Sequence, residues 1–150
     1  MNEPANKNIV KGESYRYAID RMHQAIREEY FLEAITLCES IVTDRIYSVC
    51  HGRRAKKLRG ANKETLGGVL DKWTPRDEEE TNLHYRVNAW REKRNAALHG
   101  ACRSEPLTPT KPTHEFLVQA RQAADEGLEL VNDVKTWQRR VKPKPIVFQS

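Results

Sequence analysis

The sequence predicts an all-α chain, folded as an antiparallel bundle of four main helices with one additional short helix. Three observations carry that expectation. Apolar residues recur at spacings of three and four along nearly the whole chain, which is the period of a helix with one buried face. Glycine and proline number only seven each in 150 residues, too few for a turn-rich β protein or a disordered one. No alternating apolar–polar run is long enough to make a strand, and Pro145–Phe148 is too short to build on.

The elements follow in order. Tyr15, Ile19, Met22, Ile26 and Tyr30 form the stripe of a first helix with Ser14 at its N-cap, leaving residues 1–13 as a flexible tail. Ala34, Ile35, Cys38, Ile41, Val42, Ile46 and Val49 form the second, with His51-Gly52 as its stop signal. The stretch from Arg53 to Lys63 then carries six cations and no acid, and reads as a basic connector. A short helix is expected around Glu64–Trp73, although Gly67-Gly68 weakens it. Thr74-Pro75 is expected to open a long helix, with Asp77, Glu78, Glu79 and Glu80 in its first turns complementing the helix dipole. Leu83, Val87, Trp90, Ala97 and Leu98 are its stripe, and Gly100 ends it. A proline-punctuated loop leads to a last helix from about His114 to Val141, with Leu117, Ala120, Ala124, Leu128, Val131 and Val134 on one face. Residues 14–141 thus form one domain, and residues 142–150 a second flexible tail.

Composition bounds the function. Lys and Arg total 26 against 21 Asp and Glu, a net charge of +5. No apolar run approaches the roughly 20 residues of a membrane span, and the opening residues contain no apolar signal segment. A cytoplasmic protein without membrane partners is expected. Cys38, Cys50 and Cys102 are an odd set without C-x-x-C spacing, which excludes a disulfide scaffold and argues against structural zinc. They read as reduced and non-nucleophilic. No H-x-x-x-H, P-loop or Gly-rich fingerprint is present, so neither a metal nor another cofactor is expected. Trp73, Trp90 and Trp137 read as core or interface residues.

The informative segment is Trp90-Arg91-Glu92-Lys93-Arg94-Asn95-Ala96-Ala97-Leu98-His99-Gly100. Arg94 lies between Trp90 and Leu98 on the apolar stripe, where a guanidinium needs an anion. His99 follows five residues later at the helix end, about 140° around the axis from Arg94. Histidine moves protons near neutral pH, and arginine holds phosphate charge, so the pair suits phosphodiester cleavage. A site using both needs the helix to end there or a second copy to face it, as a symmetric dimer would provide. Spacing alone leaves a plainer alternative open, in which Arg94 pairs with Asp44 or Glu39 inside the bundle and His99 complements the helix dipole.

The run Arg94-Asn95-Ala96-Ala97-Leu98-His99 resembles the R-x4-6-H motif of the HEPN superfamily, including the polar residue after the arginine. The earlier helix from Leu32 to Asp44, with its Ala34-Ile35 and its acids, resembles the helix that precedes the motif in that family. The likeness spans Ser14 to Val141. It implies a metal-independent endoribonuclease, homodimeric, with two motifs meeting in a cleft, in a toxin or anti-phage defence setting. On that reading His99 is the general acid/base and Arg94 holds the scissile phosphate. Asn95 positions the motif or the RNA, and Asp44, or otherwise Glu39, holds Arg94. The 2′-OH of RNA attacks its own phosphate to leave a 2′,3′-cyclic phosphate and a 5′-OH, so DNA is inert. A neutralising antitoxin or regulatory protein is a further implied partner. Gly100, Ala101 and Cys102 follow His99 where some members carry a tyrosine modified by a partner nucleotidyltransferase, so the likeness does not extend to that pairing.

An RNA substrate fits the cations Arg53, Arg54, Lys56, Lys57, Arg59 and Arg91, and a second group at Lys135, Arg139, Arg140, Lys142 and Lys144. Two rivals remain open on the sequence: a non-catalytic helical module that dimerises or binds a protein, and an RNA-binding bundle that does not cleave.

Overall fold

The computed structural model describes residues 3–99 and 113–141, with side chains from Lys11 onward. The expected stop at Gly100, the proline-rich loop, Cys102 and the C-terminal tail lie outside the described residues. Those described form five helices and no strand: α1 (Glu3–Arg27), α2 (Phe31–Gly52), α3 (Leu66–Lys72), α4 (Glu78–His99) and α5 (Thr113–Val141). None of them is long and apolar enough to cross a membrane.

The all-α expectation holds, with corrections at the helix ends. α1 begins at Glu3, so residues 3–13 extend a helix that was expected to start at Ser14. It stops at Arg27 because Glu29 turns left-handed at φ 62°. The Tyr30 N–H then bonds back to Ala25 O at 2.8 Å and the Glu29 N–H to Ile26 O at 3.2 Å. α2 ends at Gly52, where His51-Gly52 announced its stop, and closes the same way: Arg54 takes φ 57°, and Arg54 N and Ala55 N donate to His51 O and Cys50 O. Both are Schellman closures made without the usual glycine, at positions where an L side chain is strained. α3 is capped by Thr65, whose hydroxyl accepts from Gly68 N at 3.0 Å.

α4 starts three residues later than Thr74-Pro75 suggested. Asp77 is its cap, accepting the Glu80 N–H at 2.8 Å. The sequence Asp77-x-x-Glu80 is the outline of a capping box, but the Glu80 carboxylate turns inward instead of reaching back to the cap.

α1 runs antiparallel to α2, and α4 to α5. Arg21 meets Glu33 across α1 and α2, and Arg86 meets Asp133 across α4 and α5. The most extensive packing, however, joins α2 to α5, which run parallel: Arg121 lies by Glu29, Gly127 by Cys38, and Gln138 by Arg45. The bundle is therefore closed across one diagonal, with α1 laid on α2 and α4 laid over both central helices. Gly127 makes this possible. A Cβ there would stand 2.9 Å from the Trp90 ring and 3.1 Å from Cys38 Sγ, while the Trp90 indole N–H donates to Ala123 O at 2.8 Å.

Trp73, Trp90 and Trp137 are all buried, in a core with Met22, Ile35, Ile46, Val87, Val131 and Val134. Leu117, placed by its spacing on the inner stripe of α5, is instead half exposed in the first turns of that helix. Cys38 and Cys50 are buried free thiols; burial pushes them up to about 12 and about 11 respectively, so neither is a nucleophile near neutral pH.

Candidate functional site

Trp90 anchors the second half of α4 in the core, and one turn later Arg94 emerges towards α2. Its Nη1 lies 3.1 Å from Glu39 Oε2, with both side chains largely buried at 15% and 23% exposure. Arg94 Nε is also buried, with no hydrogen-bond partner. The acid that holds Arg94 is thus Glu39, and not Asp44. The reason is helical phase: Asp44 follows Glu39 by five residues, about 140° around α2, which points it at α1. There it meets Lys11 at 3.4 Å and approaches its neighbour Arg45 at 4.0 Å.

Asn95 and His99 lie half buried, one turn apart on an adjoining face of α4. That face continues back through Arg91 and Asn88. The Arg91 guanidinium donates twice to Asn88 Oδ1 at 3.2 Å and lies so close over α3 that a Cβ on Gly67 would stand 3.3 Å from it. Arg91 is thus held by Asn88 on its own helix and packs its Nη1 end against α3. His99 makes no hydrogen bond to any described residue. Within one chain Arg94 and His99 diverge around the helix, as their spacing required.

The basic segment sits at the opposite end of the molecule. Because α4 runs antiparallel to α2, Arg94 faces Glu39 near the start of α2 while Glu80 faces Arg53 at its end. From Glu39 to Gly52, where α2 ends, the chain climbs thirteen helical residues, about 20 Å. The six cations expected to act together on RNA are therefore divided. Arg53 is withdrawn from solvent: its Nη1 and Nη2 each donate to the Glu80 carboxylate at 2.7 Å, and Trp73 Nε1 adds a third bond at 3.1 Å. The Glu80 carboxyl is held down at about 2, first by the Arg53 hydrogen bonds, against the burial that opposes its charge. Arg54, Lys56, Lys57 and Arg59 stay exposed.

Two features escaped the sequence reading. One is this buried Arg53–Glu80–Trp73 cluster, whose available signal was the Asp77-x-x-Glu80 spacing. The other is a pair of rings, Tyr47 and His51, stacked one turn apart with centroids 5.9 Å apart beside the exposed cations. His84, by contrast, is structural, bonding Leu70 O through Nε2 at 2.8 Å and lying against Trp73. Among the described residues no cluster of His, Cys, Asp and Glu is arranged to hold a metal ion. No family model matches this chain, and no curated protein or solved structure matches it either.

Proposed function

We propose that this chain is a metal-independent endoribonuclease of HEPN type, working as a homodimer. The observation that carries the reading is Arg94, held on its Nη1 side by Glu39, with His99 five residues later and about 140° around α4, its side chain bonded to no described residue. The bridge to Glu39 fixes the guanidinium and leaves Nη2 for a phosphate oxygen. His99, neutral, takes the proton from a ribose 2′-OH; the freed oxygen attacks the adjacent phosphorus. The P–O5′ bond breaks, giving a 2′,3′-cyclic phosphate and a 5′-hydroxyl that recovers a proton. Arg94 stabilises charge on the phosphate as the bond order shifts. Asn95, on the same face as His99, orients the ribose or phosphate. Since Arg94 and His99 of one chain diverge, Arg94 of one protomer works with His99 of its partner.

Mixing variants tests this. Each of Arg94→Gln and His99→Ala alone is expected to abolish cleavage of RNA in EDTA. In a statistical mixture half the dimers are heterodimers, each with one intact and one doubly damaged site. About a quarter of wild-type activity should therefore return. No recovery with both variants folded and dimeric removes the shared-site mechanism, and intact RNA with the wild type removes the nuclease. A second reading, an RNA-binding bundle that does not cleave, is favoured by the exposed cations at the far end of α2, and it predicts binding without fragments.

A further inference from the structure

The groove at the C-terminal end of α2 has a chemistry of its own. It has a volume of about 700 Å³ and is lined by Tyr47, His51, Arg54, Lys57 and Arg59, with Ala55 and Leu58 as its apolar floor. Three left-handed residues, Arg54, Lys57 and Gly60, at φ 57°, 69° and 119°, fold the connector around it. No carboxylate lines it. The nearby acids are already engaged: Glu80 by Arg53, and Glu64 by Lys72 at 2.6 Å and by the Arg59 backbone N–H at 2.7 Å. None of the side chains of Arg54, Lys56, Lys57 or Arg59 comes within ion-pair distance of a described acid. Their charge is therefore uncompensated by any described carboxylate, and an anion is the partner that offsets it. The stacked Tyr47 and His51 rings select which anion. A bare phosphate or a lipid headgroup has no use for a π-face, whereas a nucleotide brings a base to stack and a phosphate to neutralise.

We propose that this groove is a docking site for single-stranded RNA, with a base stacked on the His51–Tyr47 pair and the flanking phosphates on Arg54, Lys57 and Arg59. Its His51 lies twelve helical residues, about 18 Å, along α2 from the level of Glu39 and Arg94, so the groove does not belong to the reacting centre. A substrate that engages both must reach across that distance. The consequence for cleavage rests on the nuclease reading above; the docking itself does not.

The test uses the full chain carrying His99→Ala and a fluorescein-labelled single-stranded RNA 20-mer, followed by anisotropy at several salt concentrations. Arg54→Asn and Lys57→Asn together remove two cations while keeping a residue type that accepts the left-handed backbone. This pair is expected to weaken binding tenfold or more and to flatten the log Kd against log salt slope by about 1.4, the value for two lost single-strand phosphate contacts. His51→Ala, at an exposed site, should weaken binding about fivefold at any salt through lost stacking. Unchanged affinity and slope in the double variant overturn the proposal. So does binding to vesicles of anionic lipid that is lost in these variants while RNA fails to bind the parent chain. Docking that depends on the groove, with RNA left uncut by the wild type, removes the nuclease and keeps the groove. Cleavage with binding indifferent to the groove variants does the reverse.

Discussion

Arg53 and Arg94 cross the same α2–α4 interface at its two ends, and each meets a glutamate, but in different ways. Arg53 offers both terminal nitrogens to Glu80 at 2.7 Å, under two tryptophans, with the acid 2% exposed. Arg94 touches Glu39 through one nitrogen at 3.1 Å, with 23% of the acid side chain open to solvent. The first geometry engages both ends of the guanidinium fork and closes the bundle. The second orients it and leaves hydrogen-bonding capacity over. An arginine held in place but not saturated is what anion recognition requires; a saturated one is part of the frame.

The largest expected effect falls on the saturated pair. Glu80→Gln leaves the Arg53 charge buried and uncompensated, and should lower stability by about 3–5 kcal/mol in denaturant melts. Because the folded Glu80 carboxyl sits at about 2, below its ordinary 4.5, the unfolded chain takes up the proton first as the solution is acidified. Its contribution is complete above about pH 4.5 and fades as pH falls towards 2. The wild-type melting temperature should drop through that window more steeply than that of Glu80→Gln. Equal slopes would mean that the ion pair does not govern acid stability.

A smaller effect is expected at the unsaturated pair. A double-mutant cycle of Arg94→Gln and Glu39→Gln should give a coupling of about 1 kcal/mol, as for a partly solvated bridge. Cleavage, in contrast, should fall at least a hundredfold in Arg94→Gln. A coupling as large as that at Arg53 would make Arg94 another part of the frame. The smallest effect concerns the backbone. Glu29→Gly relieves a left-handed glutamate at the end of α1 and should stabilise the chain by about 0.5–1 kcal/mol, read as a rise in melting temperature.

The contrast between the two arginines was not legible in the sequence. Six cations in eleven residues look alike as letters, and only the packing of α4 on α2 separates Arg53 from Arg54. The same holds for Asp44 and Glu39: both lie on α2, and the choice between them depends on which side α4 lies. The centres of the helices were legible because their stripes repeat over several turns, as in α2 from Ala34 to Val49. The starts of α1 and α4 were not, the latter because Thr74-Pro75 and Asp77-x-x-Glu80 are competing start signals three residues apart, whereas α2 and α5 stop at Gly52 and Val141 as expected. The spacing of Arg94 and His99 singled out that pair, and the resemblance of their motif added Asn95; the divergence of Arg94 and His99 around α4 was visible in the spacing as well.

The pairing of α2 with α5 has a consequence for how the protein comes into being. The Arg45–Gln138 contact joins residues 93 positions apart, and the core closes only when such distant segments meet. During synthesis α1 to α4 emerge from the ribosome before α5, the helix that packs most extensively on α2. Cooperative folding therefore waits for α5, and truncation within that helix removes the central packing at a stroke. A chain cut short in translation would reach the cell without an assembled core.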